Sequence, residues 1–324
     1  MFSKRLFLAS LLALFGATSY AQTYPSKPIT WVVPFAAGGP TDALARHIAD
    51  RVGKELGQAI VIENAPGAGG TVGAAKVARA TPDGYTLLVG HMGYMGAAPA
   101  LYKKLSYDPT RDFDAVFRFP DTPLVLMVRK DHPAKDIKSF VEFGKQNPNK
   151  LTIGNAGVGS SSHLIAALVA NSLETKVTMV PYRGAGPALI DVIGGQTDGM
   201  YDQTNTALPQ IKEGKVRAIA VTSKVRLPQL KDVPTIAETT LPGFEASTWY
   251  GIYAPKGTPK AAIDKVQNAY LKVMKDKSFT DKMAEQAIQM LPPEQYTGAA
   301  LAKHTESEVT RWRYVAAKSG LTLD

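Results

Sequence analysis

"VVPFAAGGPTDALARHI", residues 32–48, passes from β-formers through a small-residue turn into a helical pattern. The β-forming run 29–35 (ITWVVPF) ends at Phe35, and Ala36, Ala37, Gly38 and Gly39 follow. Pro40 suits the first position of a helix, where its missing N–H leaves no intrahelical bond unmade. Beyond it Leu44, Ile48, Val52 and Leu56 recur at every fourth residue, which predicts an amphipathic helix over 41–56. A strand, a Gly-rich turn and a helix start form a geometry that holds an anion. The first N–H groups of a helix have no intrahelical acceptor, and the helix dipole is positive there. The donors in this loop are the N–H groups of Gly39, Thr41 and Asp42, with the Thr41 hydroxyl beside them. A carboxylate at Asp42 repels an anion, so it is expected to bond the turn's own backbone. A βα turn with no ligand would read the same on this stretch alone.

The β-α alternation continues outward. AIVIEN (59–64), a helix from about 71 to 80 and YTLLVG (85–90) complete a β-α-β-α-β run, which implies a parallel sheet covered by helices. A second series follows: strand LVLMVRK (124–130), helix IKSFVEFGKQ, strand LTIGNAG (151–157), helix SSHLIAALVANSL and strand KVTMVPY (176–182). Helix GPALIDVIGG, strand DGMYD, a helix around 206–213 and strand VRAIAVTS (216–223) complete it. STWYGIYAPK reads as one more strand, followed by two helices and a long amphipathic helix over 293–319. The last segment has no sheet of its own and is expected to return to the first unit. The fold class expected is therefore α/β with two lobes and two crossings, near 120–126 and 243–250. The lobe boundaries expected are 22–123 with 247–324, and 124–246. Such a clamp takes its ligand between the lobes, at the carboxyl ends of the strands.

The N-terminus reads as a signal peptide over 1–21. Lys4 and Arg5 precede an apolar run from Leu6 to Phe15 and the small-residue site Ser19-Tyr20-Ala21. The run falls short of the roughly 20 residues that span a bilayer. Cleavage implies a periplasmic protein and takes the formal net charge from +9 to +7 by removing Lys4 and Arg5. The remaining basic residues are dispersed, which argues against nucleic acid as a partner. The chain contains no cysteine, which excludes thiol nucleophiles, thiolate metal sites and disulfides.

The turn at 36–42 has a counterpart, NAGVGSSSH (155–163), again between a strand end and a helix start. Ser160, Ser161 and Ser162 add hydroxyls there, and His163 reads as a helix-start residue. A serine hydrolase using Ser160 or Ser161 is the competing reading, though no G-x-S-x-G elbow is present. The glycines of GAGGTVG (67–73) are wrongly spaced for a dinucleotide fingerprint, and no P-loop occurs. PGAGG reads as a tight turn that could also approach the cleft. His47, His91, His132, His163 and His304 show no metal-ligand spacing. No catalytic residue, metal or cofactor is therefore expected. His91, Met92 and Tyr94 follow a strand end, as do Asp202, Thr204 and Asn205, and each group sits where a ligand's far end would lie. Arg183 could pair with a carboxylate.

In these residues the sequence resembles the Bug-type receptors of tripartite tricarboxylate transporters. The resemblance is carried by YPSKPITWVVPFAAGGPTD, ENAPGAGGTVGA, TPDGYTLLVG, LTIGNAGVGSSSHL, VPYRGAGPALIDVIGGQTDGMYD, LPQIKEGKVRAIAVTS, DVPTIAE and WYGIYAPKGTP, spread across the chain in order. It implies a type II periplasmic-binding-protein fold closing on a mono- or dicarboxylate, aliphatic or aromatic, with membrane transporter subunits as partners and a monomeric receptor. It implies that one carboxylate is gripped by Phe35, Gly39, Pro40, Thr41 and Asp42 from one side. From the other side Ala156, Gly157, Ser160, Ser161, Ser162 and His163 would hold it. It further implies that Asp202 helps select the ligand. The sequence departs from the family's pattern at His91-Met92, where small hydroxyl residues are usual, at Arg183, where lysine is common, and at Thr204, where an apolar residue often sits.

Overall fold

The computed structural model describes residues 23–320, 322 and 323. The expected signal peptide lies outside them. The first α/β series is β1 (Ile29–Val33), α1 (Pro40–Leu56), β2 (Ile60–Asn64), α2 (Thr71–Ala78), β3 (Thr86–His91), α3 (Ala98–Leu101) and β4 (Phe113–Arg118). The second is β5 (Thr122–Arg129), α4 (Ile137–Gln146), β6 (Thr152–Asn155), α5 (Ser161–Ser172), β7 (Thr178–Pro181), α6 (Ala185–Ile193), β8 (Gly199–Gln203), α7 (Thr204–Lys212), β9 (Val216–Val221), α8 (Ile236–Thr239) and β10 (Ser247–Thr248). The chain then returns through β11 (Tyr250–Pro255), α9 (Lys260–Val273), α10 (Lys277–Glu285) and α11 (Gly298–Ser319).

These strands build two sheets. The first has the order β2-β1-β3-β11-β4, with β1 parallel to β2 and β3, and β11 antiparallel to β3 and β4. The second runs β7-β6-β8-β5, with β9 and β10 both antiparallel to β5. Trp31, Val32 and Val33 are fully buried, as a central parallel strand covered on both faces requires. Helix α1 turns Leu44, Ile48, Val52 and Leu56 onto that sheet and ends at Gly57, whose φ of 68° closes the left-handed cap.

Three expectations need correction. STWYGIYAPK is two strands: Ser247 and Thr248 pair with β5, whereas Tyr250 begins a strand beside β3. Buried Trp249 between them is where the chain changes sheets, and its Nε1–H donates to Glu308 at 3.0 Å. The last helix starts at Gly298, because Thr297 caps it and Pro293–Tyr296 form a separate 3₁₀ turn. Strand β4 and the π-helical turn Met92–Ala97 were not anticipated.

The other passage between sheets is Phe119–Asp121, so two short segments join the lobes. Asp121 exchanges two backbone hydrogen bonds with Gln289 and receives two bonds of 2.9 Å from Arg118.

Candidate functional site

The site is the seam where the two sheets present their strand ends and helix starts to each other. On the first lobe, Gly39 is the extended N-cap of α1, and the first intrahelical bond runs from Ala43 N–H to the Gly39 carbonyl. The N–H groups of Thr41 and Asp42 therefore precede the helical ladder. Asp42 accepts from Gly38 N–H at 3.0 Å, Arg46 Nε at 3.0 Å and Asn64 Nδ2 at 2.9 Å. Burial pushes its pKa up, but these donors more than offset it and hold the carboxyl below its ordinary value. Asp42 thus ties the loop to itself.

On the second lobe, the three serines divide their roles. Ser160 caps α5 by accepting from His163 N–H at 3.3 Å. Ser162 accepts from Ala156 N–H at 2.9 Å. The Ser161 hydroxyl instead meets His91 Nε2 and Gln203 Nε2, each at 3.2 Å. His163 turns back on its own loop, where its Nδ1 accepts from Gly159 N–H at 3.4 Å.

A third helix start joins these two. Gly39 lies against α6: a Cβ placed on it would stand 3.5 Å from Gly186 N and 3.6 Å from Ala185 N. Phe35, Gly39, Pro40, Thr41, His91, Ala156, Ser160, Ser161, Ala185 and Gln203 enclose an inner cavity of about 10 Å³, which is the space of about one water. No side chain in that lining carries a formal charge while His91 is neutral. Outside it opens a cleft of about 540 Å³, lined by Phe35, Gly67–Gly70, Ala156–Val158 and Pro181–Arg183. PGAGG therefore does approach the cleft, and Arg183 stands exposed at its edge.

His91 is buried among aromatic rings. Phe35 and Tyr250 stand edge-on at 5.1 and 5.4 Å, and Tyr94 stacks on it at 5.5 Å. Burial pulls its pKa down to about 3. Tyr94 thus sits behind His91, and Met92 packs in the first lobe's core; neither lines either cavity. Asp202 is buried and accepts from Thr206 Oγ1 at 2.7 Å, and burial pushes its pKa up to about 7. Thr204 donates to the Ala287 carbonyl at 3.4 Å. Asn205 Nδ2 reaches across to the Pro40 carbonyl at 3.0 Å.

Sequence reading missed Ala185, Gln203 and Tyr250, whose hydroxyl donates to Gln203 Oε1. Signals existed for two of them. Gly184-Ala185-Gly186 follows a strand end, like the other small-residue turns. Strand alternation puts Gln203 on the face of Tyr201, which α5 covers, and turns Asp202 to the opposite face.

Two α/β lobes of the type II periplasmic-binding-protein arrangement, meeting at converging helix starts, define a solute-binding receptor. The chain belongs to the family described as "Tripartite tricarboxylate transporter family receptor", which matches residues 44–321. It is similar to the periplasmic binding protein BugD, 40% identical, with a TM-score of 0.89 over 92% of this chain and 99% of that one. It is also similar to MatC from Rhodopseudomonas palustris with bound malate, 41% identical, TM-score 0.87, covering 90% and 99%. A further R. palustris protein, solved with adipate, is 32% identical with a TM-score of 0.87 over 92% and 99%. The Bug-type resemblance read from the sequence holds.

Proposed function

We propose that this protein is a monomeric periplasmic receptor that captures a small carboxylate between its lobes and delivers it to the membrane subunits of a tripartite tricarboxylate-type transporter. One observation carries the reading: three helix starts and the Ser161 hydroxyl converge on an inner cavity with no acidic side chain in its lining. A carboxylate fits such a site because hydrogen bonds to a charged group contribute about 1.5–3 kcal/mol each, and no cation is needed to balance it. The solved relatives with malate and adipate support the same ligand class. The outer cleft leaves room for the rest of the molecule, and Arg183 at its edge favours a second carboxylate. The mobile units are 22–123 with 247–324, and 124–246, turning about the two crossing segments.

Calorimetry against a panel of aliphatic and aromatic mono- and dicarboxylates tests this. At least one should bind at micromolar strength or better, and Thr41→Trp and Ser161→Trp should each abolish binding while the fold survives. Silence across the panel would sink the carboxylate reading, and unchanged affinity in both variants would move the site elsewhere.

The hydrolase alternative gains one feature from the structure, since His91 lies 3.2 Å from Ser161. Against it, His91 Nδ1 is occupied by Gly93 N–H at 2.9 Å, and among the described residues no carboxylate orients the ring. A fluorophosphonate probe should leave the wild-type protein unlabelled; labelling that disappears in Ser161→Ala would favour the enzyme.

A further inference from the structure

Ser161 Oγ lies between two nitrogens, and the direction of both contacts is set from outside the cavity. The Gly93 amide can only donate, and its bond to His91 Nδ1 is 2.9 Å long. Nδ1 is therefore the bare nitrogen. A neutral ring then carries its proton on Nε2, and an imidazolium cannot accept that bond at all. The aromatic cage and complete burial keep the ring neutral. On the other side, the Tyr250 hydroxyl holds Gln203 by its carbonyl oxygen, which turns the amide nitrogen toward Ser161. A serine hydroxyl has two lone pairs and one proton. Both lone pairs are taken, so the Ser161 proton points into the inner cavity that this residue lines.

We propose that His91 is a positioning residue which, together with Gln203, makes Ser161 an obligate donor and so fits the inner cavity to an ionised carboxylate and against its carboxamide. The inference rests on the carboxylate reading above and goes beyond it by assigning a residue where this sequence departs from the family's pattern. The N–H groups at the starts of α1, α5 and α6 add further donors, and the Thr41 and Ser160 hydroxyls in the lining can donate as well. A carboxylate accepts on both oxygens. A carboxamide has one oxygen to offer, and its NH₂ faces N–H and O–H groups.

Two measurements on the full mature chain test it. Long-range ¹⁵N spectra of the unliganded protein should show His91 protonated on Nε2 and bare on Nδ1 from pH 5 to 8. A ring protonated on Nδ1, or on both nitrogens, overturns the proposal. Adipate and adipamide are the binding probes. The wild type should prefer adipate at least 100-fold. Ser161→Ala and His91→Phe should each reduce that preference at least tenfold, and the double variant should lose no more than Ser161→Ala alone. His91→Gln places an amide N–H where Nε2–H stood and should stay within threefold of wild type. Additive losses, or a glutamine as damaging as phenylalanine, would refute the relay. Where adipate does not bind, the tightest carboxylate of the panel and its carboxamide replace the pair; if no carboxylate of the panel binds the wild type at millimolar concentration, the carboxylate reading falls and takes the proposal with it. The spectrum, recorded without ligand, keeps that failure distinct from a wrong tautomer.

Discussion

Asp202 shows what burial does to a single carboxyl group beside the site. It is 1% exposed, one oxygen bonds Thr206, and the other has no partner among the described residues. Its pKa rises to about 7 because burial disfavours the anion, with Thr206 and the Gln203 N–H pulling the other way. An unfolded aspartate ionises near 4. Between those values the native state keeps a proton that the unfolded chain has released, so stability falls as pH rises from about 4 to about 7 and is flat above. A carboxyl that ionises near 7 instead of near 4 makes this loss about 4 kcal/mol at most. Asp202→Asn removes this dependence. Calorimetric melts should place it above the wild type at pH 8, with the gap closing toward pH 4.5. A gap equal at both pH values would show that Asp202 is not the group responsible. At this scale the sequence was partly legible. That polar residues at strand ends would border a cleft follows from the α/β pattern. Which of Ser160, Ser161 and Ser162 reaches across to the other lobe does not, because all three suit a helix start equally. The choice is made by His163 N–H and Ala156 N–H, which engage Ser160 and Ser162 and leave Ser161 to the seam.

Elements were legible where one periodicity persists. The helix over 137–146 is bounded by Asp136 as cap and Asn147-Pro148 beyond it, and it forms with those limits. The limits blur where a strand serves two sheets. Nothing in STWYGIYAPK marks a break, since Trp249 suits a strand as well as its neighbours do; only the pairing of Thr248 with Thr122 and of Tyr250 with His91 separates them. Strand β4 (FDAVFR) lacks strict alternation, and its role depends on β11, which lies more than a hundred residues later. The crossing that follows β4 carries its own prediction. Arg118, 6% exposed, is the partner of Asp121, whose carboxyl burial pushes up to about 6 against the pull of that guanidinium. Arg118→Met leaves a buried carboxylate unpaired, which costs about 3–5 kcal/mol. Urea midpoints should show that loss, and adding Asp121→Asn should recover most of it. If the second change recovers nothing, the arginine acts through packing instead of charge.

For the whole molecule, the distance between the lobes decides what the site can hold. Bonds join them from Ala36 N–H to the Arg183 carbonyl at 3.1 Å, from Asn205 to Pro40 at 3.0 Å and from Gln229 Nε2 to the Ala284 carbonyl at 2.6 Å. With the lobes this close the inner cavity is about 10 Å³, the space of about one water, so on the proposed reading even a carboxylate group enters it only if the lobes part and then close around it. Closure needs backbone to approach backbone, and glycine permits it at Gly93. A Cβ there would stand 2.3 Å from the carbonyl oxygen of Gly159 on the other lobe. Gly93 does not occupy the left-handed region, so alanine should fit its backbone. Gly93→Ala then acts chiefly as a wedge between lobes, since its 2.3 Å approach to Gly159 is far tighter than its 3.2 Å approach to His91 Nδ1 in its own lobe. Affinity for the tightest carboxylate of the panel should drop at least tenfold, and the radius of gyration at saturating ligand should stay above that of the liganded wild type. Gly93 is buried and the new methyl also crowds His91 Nδ1, so a loss of about 1–3 kcal/mol in the free protein is expected beside the wedge effect, and the radius of gyration separates the two. An alanine variant that binds and contracts like the wild type would mean that the bound state does not bring Gly93 against Gly159.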